Sequence, residues 1–217
     1  MSPVRRLSFT LPIAFLFVSL LFLTNAFAAS HGQIRNFMAK HYNPRIKFFA
    51  SDEGLSGSQC KLERVLIDGK DPVSYGSRIV DVKQYSPGAG MPNSGRAIIL
   101  LPPTGGENII DNKWANGFCK RGFRVAVVKT WEVMPENDVD LRMYDRTALR
   151  ALVAILHTTD YLQRTGAKSI GLLGTSLGAI QGAAAVGFDP RIKAAALIVG
   201  GIDLPEILTY SDEADIA

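Results

Sequence analysis

From Arg96 to Val199 the chain alternates short, continuous apolar runs with longer stretches of helical spacing. Arg96 to Leu101, Phe123 to Lys129, Ser169 to Leu173 and Ile192 to Val199 read as strands buried on both faces. Between them, Ile109 to Arg121 reads as a helix closed by Gly122. Leu141 to Thr165 reads as a longer one, with Leu149, Leu152, Val153 and Leu156 on one face and Gly166 as its stop. Leu177 to Val186 completes the set. Repeated strand–helix–strand units demand a mostly parallel sheet with helices on both faces, an α/β fold. Two further strands, Leu62 to Ile67 and Arg78 to Tyr85, precede them around the turn Asp68-Gly69-Lys70-Asp71-Pro72, giving six strands with an antiparallel start. Residues 29–60 are polar and mixed, with turn signals at Asn43-Pro44 and Gly54 to Ser58, and read as an irregular lead-in. The partial α/β domain then covers 61–217.

One junction in this series carries chemistry. The strand Ser169 to Leu173 runs into Gly174-Thr175-Ser176-Leu177-Gly178, and a helix begins at Leu177. A serine hydroxyl is a poor nucleophile unless it is held where a base and a substrate can both reach it. A sharp strand-to-helix turn does this, and glycines two residues either side remove side chains that would collide in so tight a bend. The segment matches neither G-x-G-x-x-G nor a P-loop, which argues against a phosphate cradle. Ser176 is therefore the predicted nucleophile.

A second feature stands two strands upstream. The strand Ala97 to Leu101 ends in Pro102-Pro103-Thr104-Gly105-Gly106, just before a helix. Negative charge develops on the carbonyl oxygen during acyl transfer, and fixed backbone N–H groups aimed at it lower the barrier. The expected oxyanion donors are the N–H of Leu177 and that of Thr104 or Gly105. Alone, the Pro-Pro-Thr-Gly-Gly run is a plain strand-ending turn; upstream of an elbow it becomes an oxyanion loop.

With these two motifs in these two places, the chain resembles the α/β-hydrolase family, in particular its dienelactone-hydrolase-like and esterase-like exported members. The resemblance covers about residues 61–204, through what look like the family's first six strands. It implies hydrolysis of an ester, thioester or amide through an acyl-enzyme on Ser176. It also implies an acid and a histidine on loops after later strands. Only 41 residues follow Ser176 and none is histidine. His31 and His41 lie in the lead-in and His157 within a helix expected to flank the sheet, a poor place for a base. Asp203 follows the last strand but reads as a helix cap before Leu204-Pro205, and Asp212, Glu213 and Asp215 as a solvated tail. The expectation is a hydrolase truncated after its sixth strand, or a short form completed by another chain or by oligomerisation. The strand at Ile192 to Val199 is then an apolar sheet edge.

The N-terminus reads as an export signal. Met1 to Arg6 is basic, Leu7 to Leu23 almost wholly apolar, and Ala26-Phe27-Ala28 offers a cleavage site. Removing 1–28 leaves 189 residues and lowers the formal charge from +4 to +2, because two arginines and no acids are lost. So small a charge, with no Lys/Arg run interleaved with aromatics, argues against a nucleic-acid partner. Contact with a membrane is expected only through an uncleaved signal. Cys60 and Cys119 enter a periplasmic or extracellular compartment where disulfides form; a bridge and two buried thiols are both open. The cysteines are too few for a structural zinc site, and the histidines have no metal-ligand spacing. No metal or organic cofactor is implied. Three functions remain: a serine hydrolase scaffold of the carboxylic-ester type, a non-catalytic binding or assembly protein that kept the fold, and an acyltransferase.

Overall fold

The computed structural model describes residues 36, 42, 44–56, 60–68, 79–130 and 141–200, with no side-chain description at 55, 56 and 141–148. The chain separates into two units, 1–40 and 41–217, and all described residues but Asn36 belong to the second. The predicted signal segment, His31, His41, Asp203 and the acidic tail lie outside the described residues.

Among the described residues, seven strands and three helices follow one another as β1 (Lys47–Ser56), β2 (Cys60–Asp68), β3 (Ile79–Pro87), β4 (Arg96–Leu101), α1 (Ile109–Lys120), β5 (Arg124–Val128), α2 (Leu141–Arg164), β6 (Ser169–Thr175), α3 (Leu177–Phe188) and β7 (Ile192–Ile198). They form one sheet in the order β1-β2-β3-β5-β4-β6-β7. β1 to β3 form an antiparallel meander, and β3 pairs antiparallel with β5. The strands β5, β4, β6 and β7 are mutually parallel, with Leu100 opposite both Val127 and Leu173. The expected α/β architecture is present, and its core boundaries fall within a few residues of the sequence reading.

The helices cover both faces because successive strand residues point to opposite sides. Leu100 joins Tyr85, Val125, Val127 and Leu173 against Ala115 and Cys119 of α1. Leu101, the next residue, points the other way, towards Gly182 of α3. A Cβ at Gly182 would lie 2.6 Å from Leu172 Cδ2, so a bare backbone lets α3 approach the sheet closely. Residues 151–162 of α2 are buried throughout, and Thr158 and Thr159 satisfy their hydroxyls on the carbonyls four residues back. Arg124, at the start of β5, donates to the carbonyls of Leu162 and Thr165 and so caps the last turn of α2.

Two expectations are corrected. The lead-in at 29–60 contains a ten-residue strand, β1, so the described residues form seven strands where six were expected. β1 pairs with β2 from Lys47 opposite Asp68 to Ser56 opposite Cys60, with an irregularity between Asp52 and Gly54. Its residues 47–54 are exposed, so its ladder bonds and the edge-on contact of Phe48 with Tyr161 hold it without the apolar alternation by which strands are read. The residues before it are also anchored: Arg164 donates to the carbonyls of Pro44 and Ile46. Tyr42 donates to the buried carboxylate of Asp160.

The two cysteines, left open by the sequence, form a disulfide that ties the start of β2 to the end of α1 across 6.3 Å between Cα atoms. Both are fully buried beside Tyr85 and Leu100.

Candidate active site

Ser176 sits where the chain turns from β6 into α3. Its φ of 51° and ψ of −120° lie in a region that L-residues avoid, and its side chain caps nothing in the helix that follows. The residue is held there by its neighbours. Its N–H donates to the Ile198 carbonyl at the end of β7 at 2.9 Å, and its carbonyl accepts from Ala179 at 2.8 Å. The flanking glycines are required sterically. A Cβ at Gly174 would fall 2.4 Å from the Gly178 carbonyl oxygen. One at Gly178 would fall 2.3 Å from that of Leu101 and 2.6 Å from that of Pro102.

The Gly178 contacts also join the two predicted motifs. The first turn of α3 lies directly on the backbone at the end of β4, where the Pro102–Gly106 loop begins. The helix's first N–H, that of Leu177, has no acceptor among the described residues, and neither have those of Thr104 and Gly105. Gly106 closes a turn on the Pro103 carbonyl at 3.1 Å. Gly105 and Gly106 take φ of +86° and +88°, a conformation open to glycine and strained for other residues. The serine, Leu177, Thr104 and Gly105 therefore share the C-terminal edge of the parallel strands, on adjacent strands about 5 Å apart. Unpaired N–H groups at a helix start and at a glycine turn, beside a serine in a strained elbow, can receive an oxyanion.

Downstream, Asn108 caps α1 by accepting from Ile110 and Asp111, while Asp111 accepts from the Asn108 N–H. This capping box fixes how the chain leaves the loop. Burial pushes the Asp111 carboxyl above its ordinary range, although the Asn108 N–H bonded to it opposes the rise.

A cavity of about 640 Å³ opens beside the loop, with Pro102, Gly105 and Gly106 on one wall and Val127 and Val128 below. Its rim carries the pairs Arg64–Asp81 at 2.7 Å and Lys83–Glu107 at 2.6 Å. Ser176 is not on its wall. A rim of this charge was not foreseen, because its residues come from β2, β3 and the loop before α1 and meet only once the meander is folded.

His157, the one described histidine, is not brought to Ser176. It is 1 % exposed, beneath the Tyr42 ring, with Nδ1 3.8 Å from Asp160 Oδ2, and neither ring nitrogen has a hydrogen-bond partner. Asp160 also binds Arg191, which grips Asp189 through paired contacts. Arg191 precedes β7, whereas Ser176 bonds to the last residue of that strand, so about 20 Å of strand separates them. This cluster is structural. Burial alone would raise the Asp160 carboxyl, but His157, Tyr42 and Arg191 outweigh it and hold the group below the usual carboxylate range.

Among the described residues no group of three His, Cys, Asp or Glu side chains could hold a metal, and no helix is long and apolar enough to cross a membrane.

No family model matches the sequence, and no curated protein matches it. Solved structures do. A cold-adapted esterase from an Arctic intertidal metagenomic library is 17 % identical, with a TM-score of 0.51 over 67 % of this chain and 60 % of its own. Acetyl xylan esterase 1 from Thermoanaerobacterium sp. JW/SL YS485 is 11 % identical, with a TM-score of 0.57 over 82 % and 61 %. Acetyl xylan esterase from Paenibacillus sp. R4 is 15 % identical, with a TM-score of 0.56 over 90 % and 64 %. The chain thus spans under two thirds of the length of these esterases. At such identities the likeness is one of fold, and the fold is α/β-hydrolase-like.

Proposed function

We propose that this chain carries the nucleophile and oxyanion portion of a serine hydrolase acting on small carboxylic esters. The observation that carries the reading is the strained backbone of Ser176, locked by two glycines that admit no Cβ and placed against the Pro102–Gly106 loop. Strain of this kind costs about 1–3 kcal/mol and persists where the surroundings over-determine it, most often at functional sites. In the proposed reaction Ser176 Oγ attacks the ester carbonyl and the alcohol leaves. The N–H groups of Leu177 and of Thr104 or Gly105 stabilise the tetrahedral oxyanion, and water then releases the acid. The esterase folds among its neighbours agree with an ester substrate.

The base that takes the Ser176 proton and the acid that orients it belong to the proposal as groups outside the described residues. Export by the segment 1–28 and completion by further chain or by a second molecule are parts of the same reading. Resolution of the acyl-enzyme by an alcohol would make the protein an acyltransferase, which product analysis distinguishes.

A second reading is favoured by the burial of His157 far from Ser176: a binding or assembly protein that kept the hydrolase fold. Hydrolysis of p-nitrophenyl acetate separates the two. The hydrolase reading expects turnover that falls well below wild type in Ser176→Ala, since the reaction runs through an acyl-enzyme on that hydroxyl. Equal rates for both proteins favour the binding reading.

A further inference from the structure

We propose that Lys83 is a positioning residue that holds the oxyanion turn in shape from the neighbouring sheet. The inference rests on the serine-hydrolase reading for its consequence, but not for its geometry. Gly105 and Gly106 both have positive φ, and no heavy atom lies within 4 Å of where their Cβ atoms would be. Among the described residues nothing packs against these two positions, so beyond the Gly106 N–H bond to the Pro103 carbonyl the shape of the turn depends on what holds its two ends. Upstream, the end of β4 is pinned by its contact with Gly178. Downstream, the next residue is Glu107, and Lys83 holds it.

Lys83 lies in the middle of β3, the last strand of the meander, paired with Arg64 on one side and Val127 on the other. Its ammonium donates to Glu107 Oε1 at 2.6 Å and to Asn112 Oδ1 at 3.0 Å, and sits 5.8 Å from the centre of the Tyr85 ring. Asn112 is fixed in turn: it accepts from the Tyr85 hydroxyl and donates to the Asn108 carbonyl at 2.9 Å. Two strand residues thus hold three positions at the end of the loop. An isolated surface ion pair contributes little. This one is partly shielded, with 31 % and 28 % of the two side chains exposed, and an ammonium with two acceptors and an aromatic neighbour is held in one place.

The consequence is preorganisation. Donors stabilise an oxyanion only if they point at it before the charge develops, and a Gly-Gly turn without its tether samples many orientations. Lys83 never touches the substrate carbonyl; it acts through Glu107.

The test uses the full chain with Lys83→Met, Lys83→Arg and Glu107→Gln, by amide hydrogen exchange and by inactivation with a fluorophosphonate. In Lys83→Met and Glu107→Gln, exchange of the Gly106 N–H, which is bonded to the Pro103 carbonyl, should quicken about fivefold or more while β4 and the interior of α1 keep their protection. Lys83→Arg should restore much of it. The limiting rate of Ser176 phosphonylation should fall about tenfold with the half-saturating probe concentration unchanged. Unchanged exchange in Lys83→Met overturns the proposal. So does faster exchange spread over all of α1, which would make Lys83 only a fold-stabilising residue. Should the wild type not label at all, the hydrolase reading fails, and exchange alone still decides whether Lys83 holds the turn.

Discussion

Ser176 concentrates the conflict between local and global preferences in this chain. A serine at φ 51° is strained, yet its N–H and carbonyl are both bonded and its neighbours at 174 and 178 have no room for a side chain. Ser176→Gly should therefore stabilise the protein by about 1 kcal/mol while removing the hydroxyl, read as a higher denaturation midpoint. Gly178→Ala should cost about 3 kcal/mol, because the new methyl meets two backbone carbonyls that cannot swing aside. The elbow was legible in the sequence because glycine spacing reports such crowding directly. What could not be read was the rim of paired charges beside the loop. Arg64, Asp81, Lys83 and Glu107 lie on separate segments, and their meeting depends on the register of β2 against β3.

At the scale of elements, β4 to β7 and their helices were legible because buried parallel strands are uniformly apolar and their helices are punctuated by Gly122 and Gly166. β1 was not, since a strand held mainly by pairing, with one ring contact from Phe48 to Tyr161, carries no burial pattern. Two of the links that join the meander and its lead-in to the rest give predictions. The Cys60–Cys119 disulfide closes a loop with a sequence separation of 59, so the double substitution Cys60→Ala/Cys119→Ala should cost about 4 kcal/mol in a denaturant titration. The other link is the Tyr42–Asp160–Arg191 cluster. The Asp160 carboxyl titrates lower in the folded protein than in the unfolded chain. Its contribution is therefore complete above the unfolded value, about 3.9, and is lost as pH falls through the lower folded value. Thermal melts should show Asp160→Asn well below wild type at pH 7, with the gap closing as pH drops beneath about 4.

On the scale of the whole molecule, β7 is an edge of the sheet that the described residues form. Residues 193–200 are exposed, Leu197 by 43 % and Val199 by 84 %. A groove of about 370 Å³, lined by Phe118, Phe123, Gly171, Ala194 and Ala196, runs beside it on the α1 side. An alanine-rich edge of this kind invites another strand. The chain should associate as its concentration rises, and Ala196→Lys should shift sedimentation towards monomer with little change in melting temperature. The apolar character of this strand was plain in the sequence, and its place at a sheet edge was the expectation that followed from the resemblance to the α/β-hydrolase family.

The central claim is that Ser176 is poised as an acyl-accepting nucleophile, and intact-mass analysis of the folded chain after reaction with a fluorophosphonate tests it most directly. The account predicts addition of one phosphonyl group, mapped to the peptide containing Ser176, absent in Ser176→Ala and abolished on unfolding. No addition, or equal addition to the Ser176→Ala protein, would contradict it.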